Sequence, residues 1–259
     1  VANDYIYIFT NPISNQVQSL GVGLKYFTTA VTTLPNHLLL IKNPKNLGRF
    51  DEFSRFHIVS GTEEVKDFIE SQEASKQAKT KWIDFKYESL FQQLSDQEIA
   101  ELLFLGHTDS PLNQPTFYKL GNRYTFFGST YPNSFPTTKM YYRDIHDFFK
   151  QLGYVLAERV AEDLKEQKPL FVFRKKTVTS PSKPVSIPSK PILSHLARLS
   201  HDGIAITFEG RADMGPNQRV FHVYLAEDNP RFVEADKAKQ PLFGTLIYDI
   251  KEASWNFEA

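Results

Sequence analysis

A proline- and serine-rich stretch divides this chain unequally and limits every architecture open to it. Residues 176–191 read KTVTSPSKPVSIPSKP, with four prolines and four serines, and PSKP begins at Pro181 and again at Pro188. Proline fixes φ and lacks an N–H, so neither a long helix nor a central strand is expected to run through it. An extended connector is predicted, with an α+β domain at 1–167, a basic connector at 168–191 and a small β-rich unit at 192–259. The connector carries six bases (Lys168, Arg174, Lys175, Lys176, Lys183 and Lys190) and no acid. The zero net charge of the 259-residue chain is therefore −3, +6 and −3 along its length. A protein partner, if there is one, is expected at this basic segment.

Local patterns supply the elements. Asp4 to Thr10 reads as a strand stopped by Asn11-Pro12. Val17, Leu20, Leu24, Phe27, Val31 and Leu34 are spaced 3, 4, 3, 4 and 3, which predicts a helix ended by Pro35, although Gly21 and Gly23 weaken it. HLLLIK (37–42) and RFHIVS (55–60) are short buried strands. Thr62-Glu-Glu opens a helix expected to reach about Lys79. Trp82 to Phe85 suits a strand. Ser95-Asp-Gln-Glu98 is a capping box, with Gly106 placed to end its helix. FYKL-GN-RYTFF, 117–127, reads as a hairpin around Gly121-Asn122. A strand at Lys139 to Arg143 precedes the strongest helix, Asp144 to Gln167, whose apolar residues form one broad face. Strands are expected at 203–209, 219–225 and 242–250. The fold class is α+β: a mixed, largely antiparallel sheet with packed helices, followed by the smaller β-rich unit.

Composition excludes several chemistries. With no cysteine, disulfides, cysteine-bound zinc, iron–sulfur clusters and thiol catalysis are ruled out. No apolar run approaches the roughly 20 residues of a membrane helix, and the start VANDYIYIFT lacks the basic-then-apolar order of a secretory signal. A soluble, cytoplasmic protein away from membranes is expected. GxxxxGK[ST], HExxH, GxSxG and EF-hand patterns are absent, and Gly21-Val-Gly23 has Tyr26 where a dinucleotide loop needs glycine. No metal and no cofactor is expected.

Two His–Asp pairs are the candidate catalytic groups. His107 follows Gly106 and precedes Asp109 in GHTDSPL, where a helix C-terminus and a carboxylate would favour the imidazolium. His201-Asp202 precedes Gly203, where turn formation accounts for the residues equally well. His195 lies six residues before His201, but that spacing fits no local rule for metal ligands.

The aromatic residues concentrate between Thr116 and Tyr154, where 12 of 39 residues are Phe or Tyr and five are Lys or Arg. Tyr118, Lys119, Arg123, Tyr142 and Arg143 are the candidate ligand-binding residues, since rings interleaved with cations suit single-stranded nucleic acid or a sugar phosphate. A two-residue turn at Gly121-Asn122 would put rings on both faces of the hairpin, favouring an aromatic core. Zero net charge also disfavours nucleic acid. The expectation is a non-enzymatic binding or interaction protein. The alternatives are a metal-independent hydrolase or transferase using a His–Asp pair, and single-strand nucleic-acid binding through 116–154.

Overall fold

The computed structural model describes residues 5–73, 80–107, 119–128, 137–166, 184–210, 217–232 and 237–259. The protein is α+β. Its strands in chain order are β1 (Tyr5–Asn11), β2 (Gln16–Leu20), β3 (His37–Lys42), β4 (Arg49–Phe50), β5 (His57–Ser60) and β6 (Lys81–Asp84). They continue as β7 (Tyr124–Phe127), β8 (Thr138–Tyr142), β9 (Ile204–Gly210), β10 (Gln218–Leu225), β11 (Leu242–Asp249) and β12 (Ser254–Glu258). All pair antiparallel in one open sheet of order β12-β11-β10-β9-β1-β2-β8-β7-β6-β3-β5-β4. The first strand thus lies in the middle, joined to β2 on one side and to β9 on the other.

The helices are α1 (Phe27–Ala30), α2 (Thr62–Glu73), α3 (Asp96–His107), α4 (Ile145–Glu166) and α5 (Lys190–Leu199). α4 and α5 pack together, and their residues Phe148, Leu152, Leu156, Leu193 and Leu196 share a core with Ile8, Ile206, Phe221 and Leu246 of the sheet. On the opposite face, Ile99, Leu102 and Leu105 of α3 join Leu39, Ile83 and Phe127. Arg219 of β10 is fully buried and donates from Nε to Asp163 Oδ2 of α4 at 2.5 Å, tying a late strand to the long helix.

The helix expected over 17–34 is instead a strand, a loop and one helical turn. Asn11 Oδ1 accepts the N–H groups of Ile13 and Ser14 at 2.9 and 3.1 Å, and the turn so made folds β2 back on β1. Val17 and Leu20 then lie in different cores on opposite faces of the sheet, which a helix would have placed together. Gly21 at φ 88° and Tyr26 at φ 62° turn the chain before α1.

Three further expectations are revised. Gly106 lies inside α3, which runs one residue further, to His107. Among residues expected to form the hairpin, 117 and 118 lie outside the described residues. Lys119 is in a helical turn and Gly121, at φ 64°, leads out of it, so Gly121-Asn122 joins a helical turn to a strand. Lys190–Leu199, which spans the end of the expected connector and the start of the expected β-rich unit, is a helix with proline in its first turn and Leu193, Leu196 and Ala197 buried. Residues 184–189 ahead of it are neither helix nor strand, and Trp255 Nε1 donates to Ser186 O at 2.6 Å. Residues 168–183 of the connector, like those predicted for the helix end at 74–79, lie outside the described residues.

Several expectations match. Ser95 N donates to Glu98 Oε2 at 2.7 Å while Glu98 N donates to Ser95 Oγ at 3.3 Å, a reciprocal capping box. Tyr124, Phe126, Phe127, Tyr142, Phe148 and Phe149 are all buried, so these rings of the aromatic segment form core on both faces of the sheet. Among the described residues no helix is long and apolar enough to cross a membrane.

Candidate functional site

The His–Asp candidates fall on different elements. His107 is the last residue of α3, and Asp109 lies outside the described residues. His201 and Asp202 are exposed in the 3-10 turn Ser200–Asp202 that leads into β9. His195 is turned away toward the sheet edge: its Nδ1 accepts from Arg198 at 3.1 Å and its ring meets Phe257. Burial and Arg198 hold its pKa below the ordinary histidine value. No three His, Asp or Glu side chains among the described residues converge to hold a metal.

The aromatic–basic candidates divide. Tyr118 lies outside the described residues. Lys119 Nζ is engaged by Glu98 Oε1 and Oε2 at 2.9 and 3.0 Å. Tyr142 is buried and donates its hydroxyl to Gln151 Oε1 at 2.7 Å, so its ring offers no face to a base. Arg123 and Arg143 do meet. Arg143 N donates to Arg123 O at 2.7 Å, and Arg143 Nη2 donates to Asn122 O at 2.8 Å. Beneath them Asp84 Oδ1 accepts the N–H groups of Arg123 and Tyr124, each at 2.7 Å. Burial pushes the Asp84 carboxyl up to about 7, against the opposing pull of those two N–H bonds and of Arg123 and Arg143. This corner fastens the start of β7 to the end of β6.

A concave site lies elsewhere, between α4 and the sheet. A cavity of about 270 Å³ opens beside β1, β9 and β10. Its floor is apolar: Ile6, Ile206, Phe208 and Phe221 from three adjacent strands, with Val155 from α4. Phe208 and Phe221 are in ring contact at 4.9 Å. The volume of about 270 Å³ falls just below the roughly 300–1,000 Å³ usual for small-molecule sites, so only a small ligand fits. Lys25, Glu158, Arg159 and Glu162 make the rim.

The mouth is built by the loop after β2. Gly21 adopts φ 88°, and a Cβ there would come within 3.3 Å of the Ile6 side chain. Gln151, buried on α4, donates Nε2 to the carbonyls of Gly23 and Lys25, both at 2.7 Å. Tyr26 holds a left-handed conformation that is rare for an aromatic residue and costs on the order of 1 kcal/mol or more. Its N–H bonds Glu73 Oε1 at 3.1 Å and its ring stacks on Tyr154 of α4 at 5.6 Å, contacts that hold the strained residue in place. Burial and the carboxylates of Glu158, Glu73 and Glu162 push the Tyr26 hydroxyl up to about 12, so it stays protonated at neutral pH. Lys25 Nζ pairs with Glu158 Oε2 and sits 5.7 Å from the Tyr26 ring centre. The Arg159 guanidinium lies 5.4 Å from the centre of the Phe208 ring.

On the other face of the same strands, Glu209 Oε1 bonds Thr207 Oγ1 at 2.7 Å, pairs with Lys237 and lies 3.6 Å from His222 Nδ1. Burial alone would raise the Glu209 pKa, and the Lys237 and Thr207 bonds bring it below the ordinary value instead. Tyr5 OH and Tyr7 OH donate to the carbonyls of Pro230 and Glu227 beside this cluster, so the group holds the segment after β10 against the sheet.

None of the cavity residues carries a local signature. Gly21 is the one sequence signal, and it reads there only as a defect in a helical pattern. Comparison with known protein families, with curated proteins and with solved structures gives no match for this chain.

Proposed function

We propose that this chain is a small-molecule binding protein, not an enzyme, and that its ligand places an apolar group in the cavity between α4 and strands β1, β9 and β10. The observation that carries this reading is the cavity itself, with its apolar floor and a mouth fixed by Gln151, Glu73 and Tyr154. A loop already held in its final shape loses little conformational freedom when a ligand enters, which favours binding. The described lining includes no serine, threonine or histidine to act as nucleophile or imidazole base, and the one lysine is engaged by Glu158. His201 and Asp202 are not among the residues that line it.

Calorimetric or NMR titration with benzyl alcohol, a small neutral aromatic probe, tests the proposal. Saturable one-to-one binding is expected, abolished by Val155→Trp, which fills the half-buried lining from α4, with near-ultraviolet circular dichroism checking that the variant is folded. A wild-type protein that gives no saturable response into the millimolar range overturns the reading.

A further inference from the structure

The rim of the cavity carries information about the polar end of the ligand. Lys25 and Glu158 neutralise each other. Arg159 and Glu162 lie beyond Glu158 on α4, three residues apart and therefore on neighbouring positions of one helical face. Both are exposed, and neither makes a hydrogen bond or ion pair with another described residue. The cavity mouth thus offers one guanidinium and one carboxylate side by side above an aromatic floor. A ligand of single charge would satisfy one of these groups and meet the other as a like charge.

From this arrangement we infer that the cavity takes a zwitterion, an α-amino acid with an apolar or aromatic side chain. The side chain occupies the floor against Phe208 and Phe221, the carboxylate meets Arg159, and the ammonium meets Glu162. Arg159 suits this role because its planar fork binds a carboxylate through two parallel N–H groups. Its place over Phe208 sets the guanidinium at the edge of the floor, beside the position the α-carboxylate of a seated amino acid would take. The inference rests on the cavity being a ligand site, as proposed above.

The test compares phenylalanine with its two halves, phenethylamine and 3-phenylpropionate, by calorimetry on the whole chain, with benzyl alcohol as the uncharged reference. Phenylalanine is expected to bind at least about tenfold more tightly than either half, the difference expected from one added charge-assisted contact. Arg159→Gln should weaken phenylalanine about tenfold while leaving phenethylamine unweakened or tighter, since a like charge is removed. Glu162→Gln should weaken phenylalanine and phenethylamine while leaving 3-phenylpropionate unweakened or tighter. Both positions are exposed, so neither variant threatens the fold. If phenylalanine binds no better than one of its halves, or if either variant leaves its affinity unchanged, the zwitterion inference fails while binding of benzyl alcohol keeps the cavity reading. Silence from all four probes overturns both.

Discussion

Replacing Asp84 by asparagine should change how the stability of this protein depends on pH. The carboxyl is buried, its Oδ1 already accepts two backbone N–H groups, and burial raises its pKa from 3.8 to about 7. A raised acid binds its proton more tightly in the folded state than in the unfolded chain. Its contribution is therefore greatest below the unfolded value and is lost as pH climbs through the folded one. Over the whole window the shift corresponds to about 4 kcal/mol, at 1.36 kcal/mol for each pKa unit. Between pH 5 and pH 8 the wild type should lose roughly 2–3 kcal/mol through this residue.

Asparagine imitates the protonated acid: its oxygen can accept both N–H groups, and its amide does not titrate. Urea unfolding followed by the fluorescence of Trp82, buried two residues away on the same strand, measures both proteins at each pH. All other titrations cancel in the comparison, so the stability of Asp84→Asn relative to wild type should rise by roughly 2–3 kcal/mol from pH 5 to pH 8. A difference that stays flat within about 0.5 kcal/mol over that range would show that the carboxyl titrates like an exposed one and refute the reasoning.

Other perturbations have equally definite outcomes. Arg219→Ala leaves Asp163 without the guanidinium and opens a void between β10 and α4, so a loss of about 3–5 kcal/mol is expected in chemical unfolding, whereas Arg219→Met, which keeps the volume, should lose clearly less. Ser95→Ala removes one half of the capping box and should lower stability by about 1 kcal/mol, visible as a small drop in melting temperature. Gly203 has φ 80° and a Cβ there would come within 1.7 Å of Glu227 O, so Gly203→Ala should destabilise by several kcal/mol or prevent folding, as read by loss of near-ultraviolet circular dichroism.

Local chemistry was legible wherever neighbours in sequence are neighbours in space. The Ser95–Glu98 box and the apolar face of α4 depend on residues three or four apart, and both stand as read. The error at residues 17–34 has the same origin. A spacing of three and four is a helical pattern only if the chain is helical throughout, and Val17 with Leu20 meets it while facing opposite sides of a strand. The proline at 191 hid α5 because proline was read as a breaker, although at a first helical turn it is favourable. Gly121 suits a tight hairpin and the exit of a helical turn alike, since both use its positive φ. The cavity was illegible for a stronger reason: its floor joins Ile6 to Ile206 and Phe221, whose meeting is decided by strand order alone.

The central place of β1 sets an order of events for the newborn chain. Tyr5 emerges from the ribosome about 200 residues before Thr207, its partner across the sheet. Until then one margin of β1 presents unbonded N–H and C=O groups, the condition that invites pairing with a foreign strand. β2 and β8 can close the other margin early, but β9 to β12 reach the sheet only through β1. Synthesis thus passes through a long interval in which the first eight strands wait for the last four. Truncation anywhere before β9 should convert that interval into a permanent, aggregation-prone state.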